Sequence, residues 1–275
     1  MPIYEKPVRL LLKDFVTNQN ITKGQVILRD QVISWFRANY PKIKIGTISA
    51  HFLKMSVNSP SRIHYGANPN GDDDLFYQID GSHFRLYEKE KDPPPIYVKL
   101  LPEIEKLEQT GISDVIEEEL SQQTGFAYES DLRDFLSKNL TIIEPGLRLY
   151  QDEGISGVEF PVGGRFIDIL AIDKRNNYVV IELKVSKGYD RVIGQLLRYM
   201  AWIEKNQAEP TQKVRGIIIA REISEDLHLA VSKILEVGLF EYDLSVSLRK
   251  VNKQTSNSAQ RLMETSRPVK NQGTE

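Results

Sequence analysis

The chain has 275 residues, 40 % of them apolar and 27 % charged, the balance of a globular protein with one large or two ordinary domains. Its formal net charge of −2 gives no whole-chain support for a polyanionic partner, so any basic surface has to be local. The absence of cysteine excludes disulfide scaffolds, thiolate zinc sites and cysteine nucleophiles, and it fits a reducing compartment. With neither a signal-peptide pattern nor the ~18 consecutive apolar residues that span a bilayer, we expect a cytoplasmic protein without membrane contact.

Changes in composition divide the chain into segments. Pro93, Pro94 and Pro95 bar both a helix and a central strand. The stretch 102–122 is highly charged but has apolar residues at helical spacing, which predicts a linker helix. After about residue 251 large apolar residues become rare, which predicts a disordered tail. The expected organisation is a first domain at 1–90, a linker with its helix at 91–122, a second domain at 123–251 and a tail at 252–275.

The first ninety residues carry the pattern of three helices followed by a β-hairpin. Apolar residues recur at helical spacing in three stretches, Val8–Val16, Gln25–Tyr40 and Thr47–Met55. An Asp80-Gly81 pair that favours a tight turn separates two predicted strands, Leu75–Ile79 and His83–Tyr87. This order predicts a small winged helix-turn-helix-like domain. In that fold the third helix enters the major groove of DNA and the hairpin contacts the backbone.

The third predicted helix and the segment after it are rich in groups that contact phosphates and base edges of double-stranded DNA. On an exposed face they would be Lys44, Thr47, Ser49, His51, Lys54, Asn58, Ser61, Arg62 and His64. Two other interpretations stay open, because a fold does not fix a function. The winged-helix-like domain can serve protein contacts instead, or this face of the helix can be merely solvated.

Helices and strands alternate from about Phe126 onward. The expected elements are a helix Glu129–Asn139, strands Phe166–Ile172 and Val179–Leu183, a helix Tyr189–Lys205, a strand Val214–Ala220, a helix near Asp226–Val237 and a strand Glu241–Leu248. Such alternation predicts an α/β (α+β) domain, a mixed sheet flanked by helices.

Two neighbouring predicted strands each carry a carboxylate among apolar residues. Side chains alternate along a strand, so Glu182 and Lys184 point to the same side, and the tight turn between the strands brings Asp168 near Glu182. A buried carboxylate pair repels unless a cation lies between its members, and Mg²⁺, or Mn²⁺ in its place, satisfies this requirement. Such a metal activates water for phosphodiester hydrolysis, with Lys184 orienting or deprotonating that water. No Gly-rich loop indicates a nucleotide cofactor.

Spacing alone does not establish this site, because a charged strand in a half-exposed sheet produces the same pattern. Further motifs follow one another in order: Glu129-Ser-Asp-Leu132, Arg165-Phe-Ile-Asp-Ile-Leu-Ala-Ile-Asp173, Val179-Val-Ile-Glu-Leu-Lys184, Gly194-Gln-Leu-Leu-Arg-Tyr199 and Val214-Arg-Gly-Ile-Ile-Ile-Ala220. Over about residues 126–248 they resemble the catalytic domain of the NucS-type endonucleases in the PD-(D/E)XK nuclease superfamily. The resemblance implies a restriction-endonuclease-like fold.

The resemblance also implies roles for individual residues. The implied catalytic set is Asp168, Glu182, Lys184, Glu129, Gln195 and Tyr199, with Asp168 and Glu182 as the metal ligands and Glu129 completing the acidic cluster. Gln195 and Tyr199 lie four residues apart, so they share one helix face directed at the site or the scissile phosphate. Arg165 and Arg198 are candidate phosphate contacts.

The sequence departs from the family pattern in two places. Ile167 stands where the superfamily has its nominal proline, a change that leaves the carboxylate of Asp168 in place. NucS-type proteins carry a β-rich N-terminal domain for DNA binding and dimerisation, whereas helices and a wing are predicted here. We therefore expect the nuclease chemistry to transfer while the substrate is left open.

The expected function is that of a metal-dependent DNA endonuclease that is site-selective, of the restriction or modification-dependent type, because a reader domain precedes a cutting domain. The alternatives are a DNA-repair nuclease for mismatched or branched DNA, a non-catalytic DNA-binding regulator and a protein-interaction module. Cutting both strands with one site per chain would favour a homodimer. The four histidines have no metal-ligand spacing, so a zinc site is not expected.

Overall fold

The computed structural model of the protein describes residues 3–97, 129–184 and 190–243. The predicted linker helix at 102–122 and the predicted tail at 252–275 lie outside these residues. We call residues 3–97 the N-terminal module. None of the helices in the described ranges is long and apolar enough to cross a lipid bilayer.

The N-terminal module contains the predicted helices and hairpin. They are α1 (Val8–Asn18), β1 (Ile27–Leu28), α2 (Arg29–Asn39), α3 (Ile45–Lys54), a 3₁₀ helix (Pro60–Tyr65), β2 (Phe76–Gln78) and β3 (His83–Leu86). The three strands form an antiparallel sheet in the order β1-β3-β2. Helix α1 forms because Val8, Leu11, Leu12 and Phe15 recur at helical spacing and are all buried. A winged-helix function for this module stays a prediction.

The sequence predicts an exposed DNA-reading face on the third helix, but helix α3 has no such face in the structure. Every residue from Gly46 to Lys54 is buried, because α3 packs against strand β7 and helix α5 of the C-terminal sheet defined below. The polar side chains predicted to face DNA bond inside the protein instead. Their partners are Glu209 for Lys44, Asp152 for Thr47, the Thr47 carbonyl for His51, Asp73 for Lys54, the Gln78 backbone for Asn58 and Asp74 for Arg62, while Ser49 is buried beside them.

The C-terminal part is a mixed sheet flanked by helices, as predicted. Its elements are α4 (helical at 129–138), β4 (Arg148–Leu149), β5 (Gln151–Asp152), β6 (Ile155–Ser156), β7 (Val158–Val162), β8 (Arg165–Ile172), β9 (Tyr178–Lys184), α5 (Asp190–Asn206), β10 (Val214–Ala220), α6 (Glu225–Val231) and β11 (Val237–Glu241). The main sheet has the order β11-β10-β9-β8-β4, and β7 pairs with the same edge of β8 as β4. Strands β8 and β9 are antiparallel, whereas β9, β10 and β11 are parallel.

Alternation along β9 divides the core into two layers, as the sequence predicts. Val179, Ile181 and Leu183 belong to a buried cluster that also contains Leu132 and Leu136 of α4. On the opposite face Val180 joins the larger cluster, whose other members include Leu196 and Ile203 of α5. Because Glu182 and Lys184 alternate with the first set, they lie on the α5 face of the sheet.

The last described helix and strand have other bounds than the sequence predicts. The predicted helix to Val237 ends at Val231, and the strand expected from Glu241 instead begins at Val237 and ends at Glu241. The reason is pairing with β10, which uses the backbone of residues 237–241 in parallel register. Residues 244–248 of the predicted strand lie outside the described ranges. The short strands β4 to β7 had no counterpart in the sequence-based expectation.

The N-terminal module and the C-terminal sheet share one hydrophobic core. A single buried cluster contains Phe52 and Phe84 of the module together with Phe160 of β7. Polar contacts cross the same boundary, among them the Val8 N–H donating to Glu153 Oε2 at 3.0 Å. The described residues up to Tyr242 pack as one compact unit, and the domain boundaries at 90 and 123 stay a prediction from sequence.

Gly46→Ala tests how closely α3 packs on the sheet. A Cβ at Gly46 would lie 2.5 Å from Gln207 Oε1 and 2.7 Å from Phe160 Cζ. Both neighbours are buried, and Gln207 is held by a 2.7 Å hydrogen bond to the Tyr150 hydroxyl, so neither yields easily. We expect Gly46→Ala to lose ~1–3 kcal/mol in the free energy of unfolding, measured with urea.

Gly194→Ala in α5 is the matched control, because nothing lies within 4 Å of its added Cβ. It should gain ~0.5–1 kcal/mol from helix propensity alone. A Gly46→Ala variant as stable as Gly194→Ala would contradict the close packing of α3.

Candidate active site

Three carboxylates lie in one row across strands β7, β8 and β9. Glu159 and Asp168 lie between two residue pairs of β7 and β8, Val158 with Ile169 and Phe160 with Ile167, while Asp168 and Glu182 each lie one residue beyond the Ile169–Ile181 pair of β8 and β9. Apart from the effect of burial, the three are close enough for the charge of Glu159 to raise the pKa of Asp168 and for that of Asp168 to raise the pKa of Glu182. We call Glu159, Asp168 and Glu182 the carboxylate row. The predicted approach of Asp168 and Glu182 is thus confirmed, and Glu159 is an additional member.

Asp168 occupies the centre of the carboxylate row. Its Oδ2 accepts a hydrogen bond of 2.8 Å from the backbone N–H of Leu183. Burial raises the pKa of Asp168, although the Leu183 N–H, Lys184 and Arg133 act in the opposite direction. Its other oxygen, Oδ1, lies 3.9 Å from Arg133 Nη1, beyond hydrogen-bond distance.

Glu182 is the most deeply buried carboxylate of the row, with 1 % of its surface exposed. Its Oε1 accepts hydrogen bonds from Lys184 Nζ at 2.9 Å and from the Gln195 amide. Its Oε2 is buried and has no hydrogen-bond partner within the described ranges. Burial, together with the nearby charge of Asp168, raises the pKa of Glu182 to about 8. A buried oxygen left without a partner is the position where an additional cation would be stabilising.

Lys184 and Glu129 complete the charged cluster. Burial alone would lower the pKa of Lys184, but Glu182, Asp168 and Glu129 together raise it. Lys184 is therefore a charged ammonium at neutral pH. The pKa of Glu129 is raised by burial and by the charge of Asp168, which places this α4 carboxylate close to the row as predicted.

Helix α5 brings Gln195 and Tyr199 to the cluster. The Gln195 amide donates both to Glu182 Oε1 and, over 3.2 Å, to the Tyr199 hydroxyl. The predicted shared helix face of these two residues is confirmed. Arg165 and Arg198 are exposed beside Tyr199: the Arg198 guanidinium lies 6.0 Å from its ring, and Arg165 is near enough to lower its pKa against the raising effects of burial and Glu182. Their role as phosphate contacts stays a prediction.

Two charged members of this site, Arg133 and Glu159, are absent from the sequence-based prediction. Arg133 Nη2 lies 2.8 Å from Glu159 Oε1, and its Nη1 faces Asp168. Arg133 had a usable signal, because it follows Glu129 by four residues and so shares its helix face. Glu159 had none, since its strand was not predicted and its backbone has a φ of +48°, which strand patterns do not anticipate.

The residue set fits a divalent cation held by two carboxylates and water. Within the described ranges no group of three His, Cys, Asp or Glu side chains is arranged to hold a metal by itself. Mg²⁺, however, commonly binds through one or two carboxylates and keeps several waters. Asp168 and Glu182 supply those carboxylates, and the unpartnered Glu182 Oε2 is an oxygen of the kind that a hard cation takes.

The family comparison agrees with this geometry. Residues 128–256 match the family model described as "Endonuclease NucS C-terminal domain". This stretch of the chain is therefore similar to the C-terminal domain of the NucS endonucleases. Residues 7–86 match a second family model, "Domain of unknown function (DUF7669)", which carries no functional description. The N-terminal module thus matches a family model other than that of NucS, and it contains three helices and a three-stranded sheet.

Curated relatives are endonucleases of the same name from archaea. Endonuclease NucS of Pyrococcus abyssi is 24 % identical over 74 % of this chain and 85 % of the relative. That of Pyrococcus horikoshii is 27 % identical over 51 % of this chain and 50 % of the relative. That of Methanocaldococcus jannaschii is 30 % identical over 42 % of this chain and 39 % of the relative. The chain thus spans half or less of the length of two of these three relatives.

Two solved structures have some similarity to the chain. One is a "crystal structure of a repair endonuclease from Pyrococcus abyssi", with a TM-score of 0.35, 24 % identity and coverage of 42 % of this chain and 46 % of that chain. The other is a "Structure of EndoMS-dsDNA2 complex", with a TM-score of 0.35, 25 % identity and coverage of 42 % and 46 %. The NucS-type assignment rests on the sequence family and the site, since these structural scores are low.

The raised pKa of Glu182 gives a testable pH dependence of stability in the NucS-type domain. The native carboxyl holds its proton up to about pH 8, whereas the unfolded chain ionises near 4.5. The resulting stability is fully present below pH 4.5 and is lost as the pH rises toward 8. In EDTA, Glu182→Gln should match the parent near pH 4.5 and exceed it at pH 8.5 by ~1 kcal/mol or more, which is a few degrees in Tm.

Thermal unfolding of both proteins across this pH range measures the effect. Glu144→Gln is the control for removal of a carboxylate, because Glu144 pairs with Arg215 away from the carboxylate row. If the Tm of the parent and the Tm of Glu182→Gln changed with pH in parallel, the raised pKa of Glu182 would be contradicted.

Proposed function

We propose that this protein is a divalent-metal-dependent DNA endonuclease of the repair type, which cuts DNA of altered structure such as mismatched or branched duplexes. The observation that carries the proposal is the pairing of buried Asp168 and Glu182, one of whose oxygens has no partner, with the charged Lys184 beside them. With a divalent cation these groups can carry out phosphodiester hydrolysis without an organic cofactor.

Each residue of the cluster has a definable task in hydrolysis. Asp168 and Glu182 would hold a divalent cation, which would supply a water of lowered pKa and neutralise charge on the phosphate. The neighbouring carboxylates raise the pKa of Lys184 and keep its ammonium charged, so Lys184 can stabilise the negative charge of the phosphate. The Gln195 amide orients Glu182 through its hydrogen bond to Oε1.

The repair type is favoured over the restriction type for two reasons. Site-selective cutting was expected because the third helix was thought to present a DNA-reading face, and that face is buried against the sheet. The curated relatives are NucS endonucleases, and one of the similar proteins of known structure is described as a repair endonuclease. A double-stranded substrate would require two active sites to cut both strands, so we propose that two chains act together on it.

The exposed arginines beside the cluster suit the path of the DNA backbone. Arg165 begins the strand that carries Asp168, and Arg198 lies one turn from Gln195 on α5. Guanidinium groups bind phosphate oxygens in a bidentate manner and do so independently of base sequence. This arrangement supports contact with the phosphates that flank the scissile bond.

Cleavage of defined duplexes tests the proposal. Perfectly paired, mismatched and branched oligonucleotide duplexes are incubated with Mg²⁺, Mn²⁺ or EDTA, and end-labelled products are measured. We expect metal-dependent cuts beside the altered positions, and a fall of ~100-fold or more in the rate for Lys184→Ala, since it removes a charge that acts in the transition state.

Lys174→Ala, in the exposed turn between β8 and β9, is the matched control and should retain the parent rate. Cleavage of the paired duplex as fast as the altered ones would contradict the repair type. DNA binding without cleavage under any metal would overturn the enzyme and leave a non-catalytic DNA-binding regulator.

If Arg165 and Arg198 contact phosphates, replacing either one should weaken DNA binding, an effect that can be measured separately from cleavage. Arg165→Ala and Arg198→Ala should each weaken affinity for a duplex with any sequence and reduce the dependence of log Kd on log salt concentration by about one unit or less. Fluorescence anisotropy at several salt concentrations in Ca²⁺ or EDTA measures both quantities. Arg175→Ala, at the far end of the β8–β9 hairpin, should leave the salt dependence unchanged. If Arg165→Ala, Arg198→Ala and Arg175→Ala lost DNA affinity equally, a path of the DNA past Tyr199 would be contradicted.

A further inference from the structure

Glu159 stands between a catalytic carboxylate and the N-terminal module. Its Oε1 is 2.8 Å from Arg133 Nη2, while the other nitrogen of that guanidinium, Nη1, lies 3.9 Å from Asp168 Oδ1. Arg133 is therefore bonded to Glu159 and only near Asp168. The side chain of Arg133 is 12 % exposed, so water screens this arrangement little.

The N-terminal module fixes Glu159 from the other side. The Ser61 hydroxyl donates to Glu159 Oε2 at 2.7 Å, and the Tyr65 hydroxyl donates to the Glu159 backbone carbonyl. His64 Nε2 also lies 3.9 Å from Oε1. The backbone of Glu159 has a φ of +48°, a conformation that costs ~1 kcal/mol or more for a residue with a side chain, so outside contacts have to maintain it. The 3₁₀ helix Pro60–Tyr65 supplies those contacts.

We propose that Glu159 is a positioning residue that holds Arg133 away from Asp168 and so keeps the Asp168–Glu182 site open to a divalent cation, and that Ser61 and Tyr65 set Glu159 in this position. The inference rests on the proposed function, since it concerns access of the metal to that same site. It makes the N-terminal module a part of the catalytic apparatus.

The physical reason is competition for one oxygen. A guanidinium carries a full positive charge at any accessible pH and binds carboxylates bidentately. With Glu159 charged, Arg133 has a direct partner and leaves Asp168 Oδ1 without a hydrogen bond from it. If Glu159 loses its charge or its place, the Asp168 carboxylate, 3.9 Å from Arg133 Nη1, is within reach as the next partner of this largely buried cation. Arg133 would then occupy the oxygen that a metal needs and repel the metal as well.

Binding of Mn²⁺ to the intact chain, measured by isothermal titration calorimetry without DNA, tests this inference independently of activity. Glu159→Gln, which keeps the shape and removes the charge, should weaken Mn²⁺ binding by about tenfold or more. The double variant Glu159→Gln with Arg133→Met should restore the parent affinity, because the competing cation is gone. Arg133→Met alone should bind Mn²⁺ at least as tightly as the parent.

The contribution of the N-terminal module is measured with Ser61→Ala and Tyr65→Phe, each of which removes one hydrogen bond to Glu159. Both should weaken Mn²⁺ binding several-fold. Thr47→Val is the matched control: it removes the 2.8 Å bond from Thr47 Oγ1 to Asp152, which crosses the same boundary without touching the carboxylate row. It should leave Mn²⁺ affinity unchanged even where Tm falls equally.

The outcomes separate this inference from the proposed function. A parent that binds no Mn²⁺ and cuts no DNA overturns both. A parent that binds Mn²⁺ while Glu159→Gln binds it equally well overturns the inference alone. Weakened binding that Arg133→Met fails to restore in the double variant, at unchanged Tm, also overturns it. If Glu159→Gln fails to fold, Ser61→Ala and Tyr65→Phe against Thr47→Val decide the question.

Discussion

Repulsion within the carboxylate row is the constraint on which the rest of the site depends. Glu159, Asp168 and Glu182 lie on three neighbouring strands, and the charge of Glu159 acts on Asp168 as that of Asp168 acts on Glu182. At ~5 Å two like charges repel by ~3 kcal/mol in an effective dielectric of ~20. Cations therefore have to come from outside the row: Arg133 from α4 on one side, and Lys184 from β9 on the other. Helix α5 adds the Gln195 amide at Glu182, and the 3₁₀ helix adds the Ser61 and Tyr65 hydroxyls at Glu159.

Because α3 is buried, the N-terminal module packs this helix against the sheet and does not present it to DNA. Lys54 and Arg62, which have the composition of a DNA-contacting surface, are almost without exposed surface and pair with Asp73 and Asp74. Periodicity and composition place such residues in solvent because charged side chains are rarely buried. A buried lysine or arginine requires an acidic side chain close in space. A single sequence does not show which residues are paired in this way. The module's polar residues thus hold the module together and join it to the sheet.

The part of the fold that could be predicted is the part with strong local signals. The alternation of Val179 to Lys184 gave the correct face for Glu182, and helical spacing gave α1, α3 and α5 within a few residues. Strands β4 to β7 escaped because most are two residues long and are defined by long-range pairing, as at Gly157, where a Cβ would lie 2.0 Å from the Leu170 carbonyl oxygen. Of the site, Asp168, Glu182 and Lys184 followed from strand geometry, whereas Glu129, Gln195 and Tyr199 required the family resemblance.

The charge count of the assembled site explains why Glu182 holds its proton. Four carboxylates converge here, the row and Glu129, and only Arg133 and Lys184 oppose them within the described part of the chain. Two negative charges are left over when every group is ionised, and burial makes them costly. Without a further cation the cheapest relief is a proton on the most buried member, and this is the physical content of the pKa of about 8 at Glu182. The same two charges are what a divalent cation would neutralise, so the raised pKa supports the proposed metal site from the electrostatics of the chain itself.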